Sequence, residues 1–201
     1  MSELYDKIIE QRGGFENLVA RIPGFRGYLD NKARREADRM IRDHLADQYS
    51  ARITRFVAAE KALLDNDGFA FMSKTNGVKT NLQHFRDRIK TAAPGYSGPF
   101  EQVKVTPEDL EAVYSFDEAM IRYVDQFDDA IAAFESAAIS KTGIEESLSA
   151  IDKLTREANQ AFDLRDDVFT QLSKGLGTGF RSSYTPLSDP ISDDLTENSS
   201  Q

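Results

Sequence analysis

The residues of this 201-residue chain whose types could do chemistry are two histidines, a run of arginines, three adjacent acid pairs and one glycine-punctuated segment. A carboxylate-bridged metal pair in a helical bundle needs Glu-x-x-His on facing helices. Three residues before His44 stands Ile41, and three before His84 stands Asn81, so that ligand set is absent. No metal and no cofactor are expected. Each histidine instead precedes an aspartate by three, His44 with Asp47 and His84 with Asp87, a helical-neighbour spacing suited to a surface hydrogen bond. The chain has no Cys, which removes thiolate ligands, a thiol nucleophile and disulfides. Asp128-Asp129, Glu145-Glu146 and Asp166-Asp167 are adjacent in sequence. Neighbours on a helix point about 100° apart, so such pairs suit a solvated face better than acid–base work on one substrate. The stretch from Lys174 to Ser183 resembles a phosphate cradle, but a working cradle follows a strand and opens a helix. Here it follows a helix, and a flexible cap with a short docking peptide is the expected reading. No catalytic constellation emerges.

Two binding patterns remain. Arg34, Arg35, Arg39 and Arg42, with Arg52 and Arg55 further on, could meet phosphates or an anionic membrane. Asp38, Asp43 and Asp47 interrupt that patch, so docking on the acidic segment after Thr106 is the favoured use. The second pattern is a glycine–aromatic punctuation: PGFRGY at Pro23–Tyr28, PGYSGPF at Pro94–Phe100 and GFRSSY at Gly179–Tyr184. Phe25, Tyr28, Tyr96, Phe100, Phe180, Arg181 and Tyr184 are the candidate partner-binding residues it supplies. The alternative is a set of turns whose rings pack over the end of a bundle.

The elements that must position these residues are helical. Leu4, Ile8 and Ile9 mark a short helix over 3–11, and Phe15, Leu18, Val19 and Ile22 a second over 15–22, separated by Gly13-Gly14. From Asp30 to Leu64 no Pro or Gly intervenes, and Ala37, Ile41, Leu45, Tyr49, Ile53, Phe56, Val57 and Leu63 recur at helical spacing. Asp30 is the expected N-cap and Gly68 the expected left-handed stop. Val78, Leu82, Phe85 and Ile89 predict a third stretch ending by Pro94, followed by a surface connection over 92–105. Thr106-Pro107-Glu108-Asp109 is the clearest helix start, with a hydroxyl cap, Pro in the first turn and acids at the positive end of the macrodipole. That helix reaches about Ala138, and a last one runs from Ile144 to Ser173, forming an antiparallel hairpin. The expected fold is all-α: an elongated antiparallel bundle of three to four long helices plus short N-terminal ones. Residues 1–174 form one domain, and 175–201 read as a disordered acidic tail. The stripes predict a greasy interior without machinery.

Charge divides along the chain. Residues 1–105 hold 18 Lys+Arg against 14 Asp+Glu, and 106–201 hold 7 against 20, which gives +4 and −13 and the net −9. Opposite halves written in helix predict attraction across a bundle. The acidic balance opposes nucleic-acid binding. No apolar run nears the ~20 residues of a membrane span, and the N-terminus does not read as a secretory signal, so a cytoplasmic protein is expected. The leading functional expectation is a non-enzymatic scaffold or adaptor that self-associates or binds a protein. A peripheral membrane protein using the Arg-rich helix, and a small-molecule or metal-binding bundle, are the alternatives.

Overall fold

The computed structural model describes residues 3–10, 14–28, 31–92 and 106–173, with backbone only at 31–34, 108 and 169–173. Among them are six α-helices and no strand: α1 (Glu3–Ile9), α2 (Gly14–Arg21), α3 (Asn31–Asp65), α4 (Met72–Thr91), α5 (Pro107–Ser140) and α6 (Ile144–Ser173). A 3₁₀ turn, Phe69–Phe71, leads into α4. The all-α expectation holds, and the predicted helix limits fall within a few residues of those observed. Asp30, the connection over 93–105 and the segment 175–201 lie outside the described residues.

Helices α3, α4, α6 and α5 form a four-membered ring, each packed on the next, with α2 lying on α5 and α1 on both α5 and α6. Within each hairpin the helices run antiparallel: Arg42 meets the Ala92 carbonyl, Tyr49 meets Phe85, and Glu60 meets Lys79. Between hairpins they run parallel. Tyr49 packs on Phe127 and Phe56 on Phe134, while Lys74 reaches Glu145, Asn81 reaches Asp152 and Arg88 reaches Asn159. The two hairpins therefore lie side by side in the same direction, and the chain between α4 and α5 joins diagonal corners of the ring.

The predicted stripes supply the core. Ile41, Leu45, Tyr49, Phe56, Phe85, Phe116, Phe127, Phe134, Leu148 and Phe162 are each at most 1% exposed. Three predicted core residues are exposed instead: Phe15, Val19 and Val57. The first two lie on α2, whose buried contact is carried by Gly14, Leu18 and the following Ile22. Gly14 is the first residue of α2, and a Cβ there would stand 2.8 Å from the backbone C and O of Tyr114. It is glycine because two backbones meet.

Helix ends follow local chemistry. The Thr106 hydroxyl accepts from the Asp109 N–H at 3.2 Å, and the Thr106 N–H donates to the Asp109 carboxylate at 3.0 Å, a reciprocal cap with Pro107 beside it. At the end of α3 the left-handed residue is Asp67 (φ 65°), not Gly68. The Asp67 N–H donates to the Leu64 carbonyl and the Gly68 N–H to the Leu63 carbonyl, which closes a Schellman motif one residue earlier than expected. Gly68 is required for a different reason. A Cβ there would come within 2.4 Å of the Leu63 side chain.

Candidate functional site

The N-terminal halves of α3 and α5 and the C-terminal half of α6 bring ionisable groups together inside the bundle. Asp38, on α3, is 0% exposed; Asp117, on α5, is 0% exposed; Arg165, on α6, is 2% exposed. The Arg165 Nε donates to Asp117 Oδ1 at 2.6 Å and its Nη2 to Asp38 Oδ1 at 2.7 Å. The second oxygen of Asp38 accepts from Arg42 Nε at 3.1 Å, and Arg42 Nη1 donates to the Ala92 carbonyl at 2.7 Å. The second oxygen of Asp117 accepts from the Tyr28 hydroxyl. One chain of contacts thus runs from the end of α4 through α3, α6 and α5 to the turn before α3.

The turn over Pro23–Tyr28 covers this cluster. Tyr28 stacks on Tyr114 with ring centroids 5.2 Å apart, and its backbone N–H donates to the Tyr114 hydroxyl at 2.9 Å. Phe25 meets Tyr28 edge-on, and Phe15 lies against both Phe25 and Tyr114. Gly27 makes the fit possible: its φ is +79°, and a Cβ would fall 2.6 Å from the Tyr114 hydroxyl.

Burial sets the electrostatics. It pushes the Asp117 carboxyl above the usual carboxylate range, although Arg165 and the Tyr28 hydroxyl pull it back. Burial also opposes the charge on Arg165, but Asp117 and Asp38 outweigh it and hold the guanidinium well above its ordinary value. Two carboxylates face two guanidinium groups, and each carboxylate oxygen has a donor. Such an arrangement fixes helices in register. It offers no carboxylate oxygen turned toward a substrate.

The expectation of a wholly greasy interior is therefore corrected: the interior contains a buried ionic cluster, made by residues that sequence reasoning read as surface groups or did not single out. Of three surface hollows of about 310, 310 and 470 Å³, none is lined by Asp38, Arg42, Asp117 or Arg165, and the second is bordered by Phe25 and Gly27 of the covering turn. Among the described residues no three His, Asp or Glu side chains stand together as a metal site, and no helix is long and apolar enough to cross a membrane.

The residues singled out from sequence separate. Phe25 and Tyr28 are buried, at 5% and 0% exposure, with their rings packed on one another and on Tyr114. Tyr96, Phe100, Phe180, Arg181 and Tyr184 lie outside the described residues, as does the side chain of Arg34. Arg35 is exposed, Arg39 pairs with Asp43 at 3.4 Å, and Arg42 is turned inward onto Asp38. Of the four arginines proposed for an anionic surface, Arg42 belongs to the interior cluster. Arg52 and Arg55 grip Asp128, and Arg55 also grips Glu135 at 2.8 Å, so the basic helix docks on the acidic hairpin of its own chain. Arg21 with Asp125 and Arg88 with Asp163 extend the same pairing. Compared with protein families, curated proteins and solved structures, the chain matches none.

Proposed function

We propose that this chain is a non-enzymatic helical scaffold that works by protein–protein contact, through self-association or a partner. The observation that supports this reading most is the use to which the interior charge is put. Arg165, Asp38, Asp117, Arg42 and Tyr28 are occupied with one another, and together they tie both hairpins and the α2–α3 turn into one body. Rigidity of that kind suits presentation of an outer surface. That surface is acidic along α5 and α6 and carries Phe69, Met72 and Ile139 in solvent at the hairpin-turn end. Light scattering across protein concentration, with a tagged chain recovered from its native cell, tests the reading. A defined, saturable complex is expected. A chain that stays monomeric and recovers no protein above a control contradicts it.

A further inference from the structure

One surface hollow departs from the pairing seen across the other helix seams. There, polar side chains of different helices meet: Arg21 with Asp125, Arg55 with Glu135, Asn81 with Asp152 and Arg88 with Asp163. The hollow of about 310 Å³ between α1, α5 and α6 has an apolar wall of Leu4, Ile8 and Ala119. Polar groups of all three helices line the rest: Glu3 and Lys7 of α1, Arg122, Tyr123 and Gln126 of α5, and Glu157 and Gln160 of α6. Among the described residues, no ion pair or hydrogen bond joins any two of them.

Tyr123 is the most telling member. It is 7% exposed, yet its hydroxyl has no hydrogen-bond partner among the described residues. Burial raises the pKa of that hydroxyl, Glu157 adds to the rise and Arg122 opposes it, so an acid and a cation both bear on the same group. Arg122 meets Glu118 through Nε at 2.6 Å, out of line for a hydrogen bond, and the two terminal nitrogens of its fork have no partner among the described residues. A hydroxyl and a guanidinium beside an apolar wall, with nothing of their own chain to bond, are groups that a small molecule can satisfy.

The balance of charge selects the ligand. Lys7 and Arg122 stand against Glu3 and Glu157, two cations to two anions. A ligand with a single charge is drawn by one pair and repelled by the other, whereas a ligand carrying both charges is drawn by both. The apolar wall suits a hydrophobic side chain, and the volume lies at the small end of the ~300–1,000 Å³ of ligand sites. We propose that this hollow binds a free α-amino acid with an apolar side chain. Its carboxylate meets Arg122 and Lys7, its ammonium meets Glu157 and the Tyr123 hydroxyl, and its side chain lies against Leu4 and Ile8. This activity goes beyond the scaffold reading and does not depend on it.

The experiment is isothermal titration calorimetry of the full chain with L-leucine, L-isoleucine, L-methionine and L-phenylalanine. Two analogues accompany them, 4-methylpentanoate and 3-methylbutylamine, which keep the leucine side chain and carry one charge each. At least one amino acid is expected to saturate the protein with a Kd under about 1 mM, and both analogues to bind at least tenfold more weakly than it does. Lys7→Gln and Glu157→Gln are each expected to weaken binding about three- to tenfold, with an unchanged circular-dichroism spectrum. Failure of all four amino acids to saturate overturns the proposal. Binding that both variants leave unchanged overturns it too, because the ligand then sits elsewhere. Equal binding of either analogue removes the need for two charges and overturns it as well. None of these results bears on the light-scattering test of the scaffold reading.

Discussion

Arg165 holds the interior together because two buried carboxylates depend on it. Arg165→Met leaves Asp117 with only the Tyr28 hydroxyl, and the loss of one partner from a buried pair costs about 3–5 kcal/mol. Its pH dependence has a definite sign. Burial raises the Asp117 carboxyl in the folded state, so protonation favours folding, and that contribution is present in acid and lost as pH rises through the folded value. Without Arg165 the effect grows. The stability gap between wild type and Arg165→Met therefore narrows as pH falls from neutrality toward about 4, the ordinary carboxylate range. Urea unfolding of both proteins at several pH values checks this, and a gap that widens in acid contradicts it. Tyr49 gives the opposite case. Its hydroxyl is buried between Phe85 and Phe127 without a hydrogen-bond partner among the described residues, and burial holds its pKa well above the usual value. Tyr49→Phe is expected to raise stability by about 1 kcal/mol, since an unsatisfied buried group costs about 1–3. A loss of similar size in thermal unfolding contradicts that expectation. The cluster left a trace in the sequence. The α6 stripe passes from Phe162 to Val168 with a gap of six, and Arg165 occupies the missing position. A charge on an apolar stripe was the available signal. Asp38 and Asp117, each adjacent to an apolar position, looked like solvated acids because nothing local names their partner.

At the scale of elements, spacing and caps carried most of the information. Helices α3 and α6, and α5 beyond its first residue, follow from runs free of Pro and Gly, whereas α4 forms across Gly77; the Thr106 cap was legible because its hydrogen bonds lie within four residues. What depends on contact between elements was not legible. Gly14 reads as a helix breaker in sequence yet starts a helix, because its missing side chain admits the Tyr114 backbone. Gly14→Ala is expected to cost about 1–3 kcal/mol by forcing α2 away from α5. Gly77 is the control. It lies inside α4, and a methyl group added there would meet nothing within 4 Å, so Gly77→Ala is expected to stabilise by about 0.5–1 kcal/mol through helix propensity. Chemical denaturation of the two variants checks the pair, and equal effects would mean that α2 does not sit against α5 at Tyr114.

For the whole molecule, the division of charge foretold which halves meet. Arg52, Arg55 and Arg88 find Asp128, Glu135 and Asp163 across the hairpin boundary. The parallel placement of the hairpins was not foretold, because it is decided by which corners the long connection joins and not by any stripe. These partly exposed pairs are each worth about 0–1 kcal/mol, so they set register more than stability. Net charge governs association more strongly. With −9 on each copy, added salt screens the long-range repulsion, and on the scaffold reading self-association is expected to tighten between low and physiological ionic strength. Sedimentation at two salt concentrations reads the sign, and weakening would assign the contact to opposite charges instead. The central claim is that the interior cluster is structural and that the molecule acts through its surface. The most direct measurement compares Asp38→Asn/Asp117→Asn/Arg165→Met with Arg165→Met alone, scoring unfolding free energy together with the saturable complex seen by light scattering. The triple variant is expected to recover most of the lost stability and to form that complex as wild type does. A triple variant that folds stably and no longer forms it would contradict the account.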